Sequence, residues 1–419
     1  MSLEENRCLL LPGPVFIPQR VLRAMGKQMM NRRGSEFQDL LVDVTERLKT
    51  VFQTTGDVLL FPGSGTGGLE IALVNVLAPG DHVLALTAGM FGERFATIAE
   101  ELGVSVQRLR FPLNEGIDPA RVAEALSADR KKTIKAVLMT HNETATGVAN
   151  DIAALGPLVH RHGALSLVDA VSSLGGIEVQ ADQWQLDIVA SASHKGLFAA
   201  PGLTMLSVSG RAWQAIDNST TPSYFFDLRR ARDAYDQKRL TPYTAPTTTL
   251  FGLQEALRMI AEEGLPDVLW RHTVIAAALR AGLRALGLEP FVRDDRASHT
   301  VTTAHIPQGI DSARMRKTMR KRYHVYIAGG LGEIADATFR IGHLGYIGRG
   351  EILNGLSALE LALHEQQHKM AIGQGVAAAQ RVFAENSAPP LAFSHQDDQC
   401  ESAAKPSDMS KPGDPTPHP

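Results

Sequence analysis

Between Ala164 and Met205, two apolar runs each lead to a residue able to do chemistry. Leu165-Ser166-Leu167-Val168 closes on Asp169, with the small pair Gly175 and Gly176 behind it. Asp187-Ile188-Val189-Ala190-Ser191 runs on through Ser193 and His194 to Lys195 in a loop of small residues. Ligands of an open α/β sheet sit beyond the carboxyl ends of its strands, so an acid and a lysine at neighbouring strand ends reach one crevice. A desolvated, uncluttered amine is the group that forms a Schiff base with an aldehyde, and a carboxylate opposite it keeps a pyridine-type nitrogen protonated. Singly, Asp169 reads equally well as a helix N-cap and Lys195 as a solvated surface charge. As a pair they require two further features, a phosphate site and a site for a substrate carboxylate.

The first is offered by Asp57-Val-Leu-Leu-Phe followed by Pro62-Gly63-Ser64-Gly65-Thr66-Gly67-Gly68 and an apolar helical segment from Leu69 to Leu77. Strand, glycine turn and helix aim backbone N–H groups at an anion. Gly63, Gly65, Gly67 and Gly68 let the backbone come close, and the Ser64 and Thr66 hydroxyls can donate. Tight strand–helix packing alone would explain such glycines equally well. No P-loop lysine follows, so beside Lys195 and Asp169 a phosphorylated cofactor explains the turn better than a nucleotide. The second feature is Arg340 between Phe339 and Ile341, a charge in a strand that reads as buried and therefore needs a reason. Read alone, it would be an edge-strand surface arginine.

The elements that must position these groups alternate along the chain. Strands are expected at His82–Leu86, Val104–Leu109, Ala136–Thr140, Leu165–Val168, Asp187–Ala190 and Leu203–Val208. Helices are expected around Phe95–Leu102, Pro119–Leu126, Ile152–His160 and Ala212–Ile216, after a helical pattern from Gln19 to Phe52. Such alternation predicts an α/β fold, a mostly parallel sheet between helices. Tyr224 to Thr249 reads as irregular, then a long helical segment spans roughly Leu250 to Leu286. Short strands (Val301–Ile306, Val325–Ala328, Thr338–Gly342) mixed with helices (Ser312–Arg322, Arg349–His364) then mark a smaller C-terminal α+β domain. The expected division is an extended arm over 1–18, rich in proline and glycine, a large domain over 19–259, a small one over 260–385 and a disordered tail over 386–419. Met370 to Glu385 reads as a last helix.

Composition narrows the classes. The 419 residues carry 44% hydrophobic and 21% charged side chains, the balance of a globular chain with a large core. A net charge of -3 gives no reason to expect a nucleic acid or an anionic membrane as partner. The basic run Arg314, Arg316, Lys317, Arg320, Lys321, Arg322 reads as a solvated helix face. The 2 cysteines, Cys8 and Cys400, exclude a disulfide framework and fit a reducing, cytoplasmic setting. The polar start MSLEENR is not a signal peptide, and no apolar stretch has spanning length.

Taken in order, Leu11-Pro-Gly-Pro, Phe61-Pro-Gly-Ser-Gly-Thr, Gly89-Met-Phe-Gly-Glu-Arg, Thr140-His-Asn-Glu-Thr-Ala-Thr-Gly, Val168-Asp-Ala-Val-Ser-Ser-Leu-Gly-Gly, Ser193-His-Lys, Tyr243-Thr-Ala-Pro-Thr and Phe339-Arg-Ile-Gly-His-Leu-Gly resemble the class V aminotransferases. These are fold-type I pyridoxal-phosphate enzymes, and the likeness is nearest to the alanine–glyoxylate and serine–glyoxylate group, from about Leu11 to about Leu363. The resemblance implies pyridoxal 5'-phosphate as cofactor and no metal. Lys195 would hold it covalently and shuttle the proton, and Asp169 would pair with the ring nitrogen. Ser64, Gly65 and Thr66 would hold the phosphate beside His194. Phe91 would stack on the ring, Val171 would pack its other face and Thr144 would lie near the ring hydroxyl. Arg340 would clamp the substrate carboxylate, with Gly13 and Pro14 lining that pocket. Thr244, with Tyr243 beside it, would complete the phosphate site of a second subunit in a homodimer.

The implied activity is ping-pong transfer of an amino group from alanine or serine to glyoxylate or pyruvate, since the loop segments offer no second strong cation for an acidic side chain. Ureidoglycine–glyoxylate and pyridoxamine–pyruvate aminotransferases stay open, on Ser223-Tyr-Phe-Phe-Asp with the Gly375–Glu385 end and on Lys369-Met-Ala-Ile-Gly respectively. A cysteine desulfurase is rejected because Cys8 and Cys400 lie outside the motifs. A non-catalytic binding protein of this fold would be expected to have lost Lys195, Asp169 or Arg340; all three are present.

Overall fold

The computed structural model describes residues 7–386. In chain order its strands are β1 (Cys8–Leu10), β2 (Asp57–Gly63), β3 (His82–Thr87), β4 (Ser105–Arg110), β5 (Ile134–Thr140), β6 (Asn142–Glu143), β7 (Val148–Ala149), β8 (Leu165–Asp169), β9 (Ile188–Ala192), β10 (Gly202–Val208), β11 (Val301–His305), β12 (Val325–Gly329) and β13 (Thr338–Gly342). The helices are α1 (Gln19–Met25), α2 (Ser35–Phe52), α3 (Gly65–Val74), α4 (Met90–Glu101), α5 (Pro119–Ala128), α6 (Ile152–His162), α7 (Gly210–Asn218), α8 (Leu228–Lys238), α9 (Thr247–Glu263), α10 (Leu265–Ala285), α11 (Ser312–Tyr323), α12 (Arg349–His364) and α13 (Gln374–Glu385).

Seven strands form one sheet in the order β2-β10-β9-β8-β5-β3-β4, and β10 alone runs against its neighbours. Successive side chains of a strand point to opposite faces, and here both faces are apolar. Val58 and Leu60 of β2 enter one core with α2, α6 and α9, while Leu59 and Phe61 enter another with α3, α4 and α7. Burial on both faces explains why these strands, the exposed edge strand β4 apart, read as largely apolar runs. A second sheet, β1-β12-β13-β11, is antiparallel except where β1 joins β12, and α10, α12 and α13 cover it. No helix among the described residues is long and apolar enough to cross a membrane.

Several elements differ from the sequence expectation. The glycine turn is not a loop before a helix at Leu69: α3 begins at Gly65, with Ser64 extended as its N-cap. The Gln19–Phe52 pattern is two helices separated at Gly26–Gly34. The long segment after Leu250 is likewise two helices, since Gly264 takes a φ of 88° and Pro266 cannot donate to the preceding turn. The supposedly irregular stretch after Tyr224 holds α8, which Asp227 caps by accepting from the Arg229 and Arg230 N–H groups. It escaped the periodicity because only Leu228 and Ala231 of its residues are buried. The last helix starts at Gln374 rather than Met370. The arm is not merely extended: its Cys8–Leu10 segment is a strand whose Cys8 and Leu10 pack in the core of the smaller sheet. The tail expected from 386 lies, beyond Asn386, outside the described residues, as does Cys400.

Candidate active site

Five parallel strands point their carboxyl ends at one cavity of about 150 Å³. Ser64, Gly65 and Thr66 follow β2, Phe91 and Arg94 follow β3, and Thr144 follows β5 and the short β6. Asp169 ends β8 with Val171 and Ser172 just after it, and His194 and Lys195 follow β9. Of the residues singled out in the sequence, nine therefore line a single space: Ser64, Gly65, Thr66, Phe91, Thr144, Asp169, Val171, His194 and Lys195.

Electrostatics in this space follow from burial. Loss of hydration drives the Lys195 ammonium down to about 8; Asp169 opposes the change, while the Arg340 and Arg94 guanidiniums add to it. Its Nζ donates to the Pro12 carbonyl at 2.5 Å. Asp169 is only 5% exposed, and burial pushes its carboxyl up to about 6 against the Val171 N–H and the charges of Lys195 and Arg94. Oδ1 accepts from Val171 N at 2.9 Å, which fixes the carboxylate relative to the turn after β8.

One end of the cavity is built for an anion. The first turn of a helix leaves its N–H groups without intrahelical acceptors, and at α3 the N-cap Ser64 supplies no side-chain hydrogen bond to them. Next to that turn His194 is held neutral by burial, down to about 4, and its Nδ1 is buried with no hydrogen-bond partner. Gly65 is forced by the opposite wall: a Cβ there would sit 2.4 Å from Cγ2 of Val171. An uncapped helix start, an orphaned imidazole nitrogen, an amine of lowered basicity and a buried carboxylate fit pyridoxal 5'-phosphate, the group the resemblance implies.

Arg340 of β13 approaches from the smaller sheet. Its Nε donates to the Gly329 carbonyl at 2.9 Å and its Nη1 to the Thr144 carbonyl at 3.1 Å, so one guanidinium ties the smaller sheet to the turn after β6. Burial lowers its basicity and the Glu143 charge offsets this in part. Gly13 packs against the Lys195 side chain, and the exposed Pro14 follows it. Tyr243 and Thr244 do not line the cavity. The Tyr243 hydroxyl donates to the Tyr224 carbonyl at 2.7 Å, its ring stacks on Phe225, and Thr244 is exposed.

Sequence reasoning missed four contributors. Arg94 lies with its guanidinium carbon 4.7 Å from the Phe91 ring centroid, one helical turn on, and makes no hydrogen bond or ion pair among the described residues. It stands on helix α4, outside the loop segments in which no second strong cation was expected, and the three-residue spacing from Phe91 was the available signal. Ser172 accepts or donates at 2.6 Å with the Thr144 hydroxyl. The Pro12 carbonyl holds Lys195, and the Glu143 carboxylate accepts from the Phe91 backbone N–H. Backbone acceptors and buried acids of this kind leave no periodic trace in a sequence.

The chain matches the family described as Aminotransferase class-V over residues 10–334. It is 40% identical over 383 residues to a soluble hydrogenase 42 kDa subunit of Anabaena cylindrica, covering 91% of this chain and 100% of the other. It is 38% identical over 398 residues to a serine–glyoxylate aminotransferase of Methylorubrum extorquens, covering 92% and 97%. Among solved structures, the ureidoglycine–glyoxylate aminotransferase of Bacillus subtilis superposes with a TM-score of 0.87 at 32% identity, covering 90% of this chain and 98% of that one.

Proposed function

This chain belongs to the class V aminotransferases, and from that premise we propose that it moves an amino group from a small amino acid, alanine or serine, to glyoxylate or pyruvate in two successive half-reactions. Enzymes of this class depend on pyridoxal 5'-phosphate. The carrying observation is the shared cavity in which the Lys195 amine and the Asp169 carboxylate sit beside the uncapped start of α3. The name of the Methylorubrum relative supports serine as donor and glyoxylate as acceptor.

When bound, the cofactor acts as an electron sink for the substrate Cα. The chain's own groups do the rest. Lys195, with its amine near 8, holds the cofactor and then takes and returns the proton at Cα. The buried Asp169 carboxylate would keep the ring nitrogen protonated. The α3 N–H groups, the Ser64 and Thr66 hydroxyls and His194 hold the phosphate. Phe91 and Val171 would restrain the ring, and Thr144 would lie near its hydroxyl. Arg340 receives the carboxylate of donor and acceptor in turn, a planar fork suited to bidentate binding, with Gly13 and Pro14 closing the pocket over it.

A homodimer belongs to the same reading, with Thr244, flanked by Tyr243, completing the phosphate site of the partner subunit. The exposed Thr244 and the 70% exposed Tyr224 beside Tyr243 support an interaction face there. The paucity of cysteine supports a cytoplasmic setting. A ureidoglycine donor is the second reading, favoured by the superposition on the Bacillus subtilis enzyme. The deciding experiment offers alanine, serine, glycine, ureidoglycine and pyridoxamine singly to the loaded protein and follows the visible absorbance of the bound cofactor. Alanine or serine should bleach it, and Lys195→Ala should fold and bind the cofactor without turnover. Bleaching by pyridoxamine or ureidoglycine alone, or by no donor, would overturn the alanine–serine assignment.

A further inference from the structure

We propose that Glu143 is a positioning residue that joins the aromatic wall of the cavity to the arginine clamp and tunes how tightly Arg340 takes a carboxylate. The role rests on the assignments of Phe91 and Arg340 just made. Glu143 is 1% exposed, and its carboxylate makes three backbone contacts that belong to two different pieces of the site. Oε2 accepts from Phe91 N at 2.9 Å and from Gly92 N at 3.1 Å, in the first turn of α4. Oε1 accepts from Ala145 N at 3.1 Å, in the turn that carries Thr144. Arg340 donates to the carbonyl of that same Thr144, and Glu143 is the carboxylate whose charge acts on the guanidinium.

Capping alone does not explain so buried an acid. A helix start is ordinarily capped by the side chain of its own N-cap residue. At α4 that residue is Gly89, which has none to offer. Gly89 is instead the residue that admits Glu143, since a Cβ there would lie 2.5 Å from the glutamate Cγ. Burying a carboxylate costs several kcal/mol unless its partners compensate. Here burial pushes it up to about 7 against three N–H donors, with the Asp169 charge adding to the rise. Position 89 cannot carry the cap itself, since its φ of 157° would strain a side chain, whereas a neutral amide at 143 would offer an acceptor oxygen with no charge to bury. What only a charge at 143 supplies is a counterweight to Arg340. With it ionised, an arriving carboxylate meets a guanidinium whose field is already partly satisfied, so binding is moderated and the product carboxylate can leave. The same group holds the Phe91 backbone, and so the plane of the stacking ring.

The two roles separate by substitution, measured on the loaded enzyme on the alkaline side of neutrality. In Glu143→Gln, kcat should fall at least ~10-fold, because a 1 Å misplacement of reacting groups can cost roughly 100-fold. At the same time KM for the amino donor and the inhibition constant for formate, a bare carboxylate, should both decrease several-fold. The visible circular dichroism of the bound cofactor should change as the ring plane shifts. Glu143→Asp keeps the charge and shortens the reach, so the dichroism and kcat should move while formate inhibition stays at the wild-type level. A rise of KM together with the fall of kcat in Glu143→Gln, with formate binding unchanged, would be simple loosening and would overturn the proposal. If the glutamine variant does not fold, an aspartate variant with wild-type dichroism and kcat overturns it equally. Wild-type enzyme that neither holds cofactor nor accepts an amino donor would defeat the functional reading itself, whereas working wild type with unaltered variants defeats only the role of Glu143.

Discussion

At Arg340 the guanidinium is held by two backbone carbonyls, one from β12 of the smaller sheet and one from the turn after β6, and it keeps Nη2 uncommitted among the described residues. That arrangement fixes the plane of the fork before any substrate arrives, so little side-chain freedom is lost on binding. Charge-assisted hydrogen bonds are worth about 1.5–3 kcal/mol each. Arg340→Ala should therefore raise KM for donor and acceptor alike by about 10- to 100-fold, as a loss of binding shared by both half-reactions. Arg340→Lys should recover only part of it, because an ammonium cannot reproduce the two-pronged contact. Steady-state kinetics with each substrate varied in turn would decide, and a change confined to one substrate would contradict the shared clamp. Asp169 was legible in the sequence because it ends an apolar run, and Lys195 because it stands in the loop of small residues just after another. Arg94 and Glu143 were not, although both lie inside quoted motifs: their meaning depends on which neighbours the fold brings beside them.

Among the elements, the strands of the large sheet other than the exposed edge strand β4 were the most legible, because burial on both faces makes them largely apolar runs with few competing readings. Helices showed themselves where one face is apolar, as in α2, and hid where hardly any residue is buried, as in α8. Breaks set by one or two residues, at Gly264-Leu265-Pro266 or at Ser64, shifted boundaries without changing the order of elements. The connection between α8 and α9 is where an element-level prediction belongs. Its Thr241 hydroxyl donates to the Tyr243 carbonyl at 2.7 Å, Arg32 Nη1 donates to the same carbonyl at 2.8 Å, and Thr244 follows on the surface. If that connection completes a phosphate site in a second copy, Thr244→Ala should weaken cofactor retention by about 5- to 10-fold, the loss of roughly one hydrogen bond, while thermal unfolding of the cofactor-free protein stays unchanged. Equilibrium dialysis of the cofactor checks this; equal retention in the variant would count against the shared site.

For the molecule as a whole, buried histidines set the response to acid. His272 is fixed neutral from both sides: its Nδ1 donates to the Val268 carbonyl at 2.7 Å and its Nε2 accepts from Gly345 N at 3.1 Å. Burial holds it down to about 3 from an ordinary 6.5, and His343 is lowered well below its ordinary value for the same reason. Below pH 6.5 the unfolded chain takes up protons that these folded imidazoles refuse, so stability is complete above 6.5 and is lost as the pH falls, by up to ~1.4 kcal/mol per unit for each histidine. Glu143 and Asp169, both raised, run the other way and offset part of the loss. With His141 and His194 also lowered to about 4, the histidines outnumber the carboxyls. Denaturant midpoints should therefore decline from pH 6.5 downward, and His272→Gln should flatten the slope; midpoints independent of pH would refute the account.

The pairing of Cys8–Leu10 with Val325–Ile327 has a consequence for how the protein is made. On the ribosome the first strand emerges early, yet the backbone that receives it is translated only after the whole seven-stranded sheet has been threaded. Until then Pro12 has no anchor from which to grip the lysine amine, and the arginine that will face it has not been synthesised. The nascent chain can assemble the cofactor cradle, but the substrate clamp comes into being only when nearly the last of these elements docks.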